Sequence, residues 1–132
     1  MARKPLSEIK RPTKAHVIEA LEGAHREIRK RGWAQGEFVT TEGRVCFFGG
    51  LGAALSASSV LDDPHAPLWE RGAAVDARLR SAEPLTSAVE RAMAATVGVA
   101  PRNIAEEWND DFDRTKAQVL RAITRTIKRL RG

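Results

Sequence analysis

Cys46 is the one thiol of the chain, set between Gly43-Arg44-Val45 and Phe47-Phe48-Gly49-Gly50. A cysteine that opens a helix feels the positive end of the helix dipole, and a nearby guanidinium adds to it. A helix starting at Cys46 with Arg44 beside it would therefore favour thiolate. A nucleophilic cysteine also needs a base oriented by a third group. Cys46, His65 and Asn109 supply those residue types in the chain order of papain-like enzymes, so a cysteine-dependent hydrolase or transferase is one reading. His65, however, lies in an Asp-Asp-Pro-His context with nothing to hold it. The competing reading makes Cys46 a small buried hydrophobe, the usual state of a free cysteine. Three residue types in order do not make a catalytic site, so none is assigned and the protein is expected to be non-enzymatic.

A second group joins large aromatics to polar side chains: Trp33, Gln35, Arg44, Trp108, Asn109, Asp110 and Arg114. In one reading they line a pocket for a small molecule or nucleotide. Arg44 and Arg114 would hold phosphate and a tryptophan would stack on the base. In the other they form a structural network, with Asp110 paired to Arg114 or Arg44. The acidic run Glu106, Glu107, Asp110, Asp111, Asp113 fits neither the calcium-loop nor the zinc-helix spacing, and Asp113 is expected to cap the last helix. His16 and His25 are not spaced as ligands, and Gly49-Gly50-Leu51-Gly52 lacks the Lys-Ser/Thr of a phosphate loop. No metal and no cofactor are expected.

Charge supplies a third candidate. The net charge is +5, but residues 1–31 carry nine Lys/Arg against four Glu, and residues 114–131 carry seven Lys/Arg and no acid. The middle of the chain is correspondingly acidic. Arg121, Arg125, Lys128, Arg129 and Arg131 crowd the last helix and are able to track a phosphate backbone. Nothing resembles a helix-turn-helix or a zinc finger, so such contact would be independent of sequence. The partner expected for this face is nucleic acid or an acidic host protein. The alternative is a solvated helix face, with the basic ends packed on the acidic middle.

The elements that must position these groups are mostly helical. A chain of 132 residues, 42% hydrophobic, suffices for one core. No apolar run reaches the ~20 residues of a membrane helix, and the basic N-terminus is not followed by an apolar segment. With one cysteine, the cytoplasm is the expected compartment. Residues 1–12 are expected to be a basic flexible arm, followed by a single globular domain over 13–132. Val17, Leu21, Ala24 and Ile28 predict a helix from the Thr13 cap to Gly32. Phe38–Thr41 and Val45–Phe48 are β-prone around Glu42-Gly43, which predicts a short hairpin over about 36–48. The glycines of the 49–55 stretch are costly in a helix unless another element comes close, which places that helix at the centre. Further helices are predicted over 67–80, over 84–97, and from Asp113 onward, with Asn103 opening a short turn between. The fold class is mainly α, about five helices around the central Gly/Ala-rich one, with the last helix beside the first.

Four patterns occur in order along the chain: Trp33-Ala34-Gln35-Gly36, then Gly43-Arg44-Val45-Cys46 with Gly49-Gly50-Leu51, then Trp108-Asn109-Asp110, then Arg114-Thr115. Together, over residues 14–127, they resemble a family of small uncharacterised proteins common in actinobacteria and their phages. The resemblance implies an architecture and a set of positions without an activity. Gly50 departs from it, standing where alanine is expected, which suggests a looser central helix. Charge and resemblance together point to a non-enzymatic binding or accessory protein, phage-encoded in one setting the resemblance allows, with a basic face for an acidic partner. No membrane partner is expected, and nothing in the sequence sets the oligomeric state.

Overall fold

Thr13 starts α1 (Lys14–Arg31). Its hydroxyl accepts from the His16 amide at 3.3 Å, while His16 Nδ1 accepts from the Thr13 amide at 3.0 Å, a reciprocal cap. Gly32 ends the helix at φ +94°, with Arg29, Lys30 and Arg31 at its carbonyl end. Arg31 then folds back between Glu27 and Asp62, at 2.9 Å from each. The structure is a computed structural model. It describes the backbone of residues 4–132 and the side chains of 4–55 and 59–132.

Residues 33–46 form a strap, and the hairpin expected over 36–48 is not there. Among the described residues no strand forms; Val45 makes one parallel bridge to Trp33 and one antiparallel bridge to Val39. Val45 gives its amide to Gly32 O and accepts from the Ala34 amide, at 3.0 and 2.9 Å. Its ladder bonds are thus directed at the chain leaving α1. The next residue, Cys46, already caps a helix, so the pairing has nowhere to extend. β-prone side chains here serve burial, with Val39 and Val45 both in the core.

Cys46 caps α2 (Phe47–Gly52), its sulfur accepting from the Gly49 amide at 3.3 Å. The helix widens into a π turn, Ala53–Ala57, and ends as α3 (Ser58–Leu61). Every residue of α2 is buried. Its glycines face different neighbours. A Cβ on Gly49 would stand 1.9 Å from Phe38 O, one on Gly50 2.9 Å from Ile28 Cγ1 of α1, and one on Gly52 2.7 Å from Val75 Cγ1. The loosening expected from glycine at 50 is therefore reversed, because the missing Cβ lets α1 come closer.

The other helices surround this centre. They are α4 (Leu68–Ser81), α5 (Glu83–Val97, with Pro84 in its first turn and Gly98 as left-handed cap) and α6 (Lys116–Arg131). Helix α6 packs beside both α1 and α5, and α2 packs on α1 and α4. Asp113 does not cap α6: Thr115 does, exchanging hydrogen bonds with Gln118, and the first turn holds no acid. Between α5 and α6 a second π turn, Ile104–Asn109, buries Ile104, Trp108 and Asn109. The wider winding brings residues four and five positions apart onto one face. Of the arm expected over 1–12, residues 1–3 lie outside the described residues. The rest holds one 3-10 turn, Leu6–Glu8, with Leu6 packed on the core. Among the described residues no helix is long and apolar enough to cross a membrane.

The glycine contacts rank two substitutions. Gly49→Ala drives a Cβ into a backbone carbonyl and should lower unfolding free energy by about 3 kcal/mol or more. Gly50→Ala meets the buried Ile28 Cγ1 at 2.9 Å and the Ala24 carbonyl of α1 at 3.2 Å, a milder crowding that should cost about 1–2 kcal/mol after the gain in helix propensity. Urea unfolding of both variants checks the order.

Candidate functional site

The strap and the second π turn meet at a single side chain. Asn109, 1% exposed, uses its whole hydrogen-bonding capacity. Its Oδ1 accepts from Trp33 Nε1 at 3.0 Å and from the Phe47 amide at 3.1 Å. Its Nδ2 donates to Ala34 O at 3.3 Å and to Asp110 Oδ1 at 2.9 Å. Gln35 Nε2 donates to the carbonyls of Asn109 and Asp111 at 3.0 and 2.7 Å, and the Gly36 amide donates to Asp110 Oδ1 at 3.0 Å. Trp33, Gln35, Asn109 and Asp110 therefore come together as a clasp that fastens the strap and the first turn of α2 to the π turn. Every polar atom of the Asn109 amide faces protein, which leaves none to hold a ligand.

Arg44 is not part of it. Its side chain is half exposed, runs along Gly32 and ends 3.8 Å from Glu42. Arg114 makes no ion pair with Asp110 either. It donates from Nε to Trp108 O at 2.8 Å and lays its guanidinium 4.5 Å over the Trp108 ring. The two arginines foreseen as joint phosphate holders thus sit in separate places, and the pairs foreseen for Asp110 do not form.

Cys46 shows the chemistry of a structural thiol. It is buried at the start of α2, and burial pushes its thiol up to about 11, with the negative charge of Asp110 adding to the effect. Backbone N–H groups of Gly49 and Phe48 pull the other way and lose. The helix start is where the sequence puts it, but six residues of helix and an arginine facing solvent do not outweigh desolvation. His65 is exposed, with its amide on Asp63 Oδ1 at 2.9 Å. Asn109 is fully occupied in the clasp. No base-activated nucleophile is assembled from these three.

The basic residues of α6 form a ridge. Arg121, Arg125, Lys128, Arg129 and Arg131 are all exposed, while Val119, Ala122, Ile123, Thr126 and Ile127 are buried beneath them. On the α5 side a depression of about 570 Å³ takes Arg114, Gln118, Arg121 and Arg125 into its lining together with Thr96. Thr96 Oγ1 accepts from Arg129 Nη1 at 3.0 Å and lies 2.8 Å from the buried Thr126 hydroxyl. On the α1 side a second depression, about 520 Å³, gathers Arg26, Arg29, Lys128 and Arg131 around His25. One carboxylate, Glu22, lines it and stands 3.5 Å from Arg131. Burial, then the charge of Arg29, holds His25 below the usual imidazole range. Arg26 and Arg29 are site residues that the sequence reading did not mark. The signal was their spacing, since residues three apart share a helix face.

Residues 12–129 match the model of a family of unknown function, DUF6197, and the chain belongs to that family. No curated protein and no solved structure matches the chain.

The clasp and the thiol each generate a measurable outcome. Asn109→Ala strands the buried Phe47 amide and the Trp33 indole N–H, and should cost about 3 kcal/mol or more in urea unfolding. Gln35→Ala, at an exposed side chain, should cost about 1 kcal/mol. The folded Cys46 thiol holds its proton up to about 11, against 9.0 for the free group. Stability from this group is therefore full below pH 9 and is lost as pH rises through about 11, an alkaline loss of about 2–3 kcal/mol. Urea titrations across that window should show the loss in the parent protein and a flatter profile in Cys46→Ala.

Proposed function

We propose that this member of the family is a non-enzymatic nucleic-acid-binding accessory protein, with α6 as a ridge that tracks a phosphate backbone without reading bases. The observation that carries this reading is the concentration of cations along and beside α6. Arg121, Arg125 and Lys128 have no carboxylate partner among the described residues, and Arg129 is engaged only by a hydroxyl. Some cations elsewhere are neutralised locally, Arg31 by Glu27 and Asp62 and Arg80 by Asp76, whereas those of α6 stand close together on one helix. Unpaired exposed arginines repel one another and are tolerated most easily where an anion relieves them. The packing of α6 against α1 adds Arg26 and Arg29, so both basic ends of the chain contribute to one surface.

Phosphate contact of this kind releases condensed counterions, which makes affinity fall steeply with salt. In the phage or actinobacterial setting that the motif resemblance implies, the partner would be met in the cytoplasm. An acidic host protein is the other occupant this surface suits.

The test is a fluorescence-anisotropy titration against short DNA and RNA duplexes at low and high salt. With five or six phosphates engaged, log K should fall against log salt with a slope of about −5. Arg121→Glu, Arg125→Glu, Lys128→Glu and Arg129→Glu together should abolish binding without changing the helical circular dichroism. The His25 imidazole should titrate higher in the complex, because an anion beside it opposes the field of Arg29. Absence of binding at low salt sinks the nucleic-acid reading and leaves the acidic protein.

A further inference from the structure

A half-open cavity of about 460 Å³ lies between the strap, the start of α2, α4 and the second π turn. It shares no lining residue with the α6 ridge. Phe38, Phe48, Leu68 and Ala105 give it an apolar wall, which Cys46 completes. The volume is that of a small-molecule site. Its charged groups are of one sign: Glu37, Glu106 and Asp110 line it, and no Lys, Arg or His does. Asp110 Oδ1 is engaged by the Gly36 amide and Asn109 Nδ2, while its Oδ2 has no hydrogen-bond partner among the described residues.

Gly72 is the second, independent observation. It sits inside α4, where glycine weakens a helix relative to alanine. The glycines of α2 are each required by a neighbour within 3 Å of the absent Cβ, whereas at Gly72 nothing stands within 4 Å. Helix packing does not call for this glycine. The cavity does, because a side chain at this lining position takes up its space.

We infer that the cavity binds a small amphipathic cation: an aromatic or branched aliphatic body carrying an ammonium or amidinium group. The body packs against Phe38, Phe48 and Leu68, and the charge meets the carboxylates of Glu37, Glu106 and Asp110. Placing opposite charge at a partly desolvated site of one sign gives discrimination by charge as well as by shape.

The experiment uses the full chain and matched probes. Benzylamine and tryptamine are titrated beside benzoate and indole-3-acetate, with binding read from backbone amide shifts of Gly36, Cys46 and Gly72. The expected result is amine affinity at least roughly tenfold above that of the matching carboxylate. Gly72→Leu should abolish amine binding while the melting temperature holds or rises. Glu37→Gln with Glu106→Gln, both at exposed side chains, should bring amine affinity down toward the carboxylate level. Equal binding of amine and carboxylate, no binding of either amine, or amine binding that survives Gly72→Leu overturns the inference.

Discussion

The structure depends on one amide group. Asn109 satisfies four partners from three stretches of chain at 3.3 Å or less, in a place where water does not reach. Helix α2 opens the winding that continues through the first π turn, three of its six residues are glycine, and the amides of its first turn have no carbonyl of their own helix to meet. Two polar side chains hold its open end: the Cys46 sulfur takes the Gly49 amide, and Asn109 takes the Phe47 amide. The strap lies across the same end, since Trp33 and Ala34 bond to the same amide. That proximity brings Phe38 O against the backbone of Gly49, and it is why no side chain is tolerated there. The sequence of cause runs from a buried amide to a capped helix, then to a strap drawn close enough to require glycine.

Helix boundaries were legible because their causes are local. Thr13 with Gly32 brackets α1, and Pro84 with Gly98 brackets α5, each by backbone chemistry that a few neighbouring residues settle. The cap of α6 was misplaced by two residues, although Thr115-Lys116-Ala117-Gln118 carries the reciprocal Thr-x-x-Gln signature in plain view. The hairpin failed for a different reason. β-propensity reports a side chain that fits a half-buried pleat, and Val39 and Val45 are buried without the pleat. What redirected Val45 was the path of the chain after Gly32, and no short window of sequence contains both.

The polar positions were legible as a set and illegible as an arrangement. Trp33, Gln35, Asn109 and Asp110 do converge, yet a pocket and a clasp demand the same residue types, and only the distances tell them apart. Arg44 was grouped with them by sequence neighbourhood, and its side chain leaves along the opposite partner, Glu42. The cavity beside Asp110 gave no signal at all. Its walls are ordinary apolar residues from four segments, and its clearest mark, Gly72, is a glycine that has no contact to explain it.

The clasp also imposes an order on the birth of the molecule. Apart from the one between the neighbours Asn109 and Asp110, its bonds join positions 62 to 76 residues apart. A ribosome that has released α1, the strap and the residues of α2 has not yet made the amide that closes the end of that helix. The first half of the chain must therefore wait, glycine-rich and with the Phe47 amide lacking its Asn109 partner, through the translation of α4 and α5. Closure comes only when Asn109 emerges, after α4 and α5 have been made. The buried helix α2 is thus completed after α4 and α5, which follow it in the chain, and a chain truncated before Asn109 has no means of completing it.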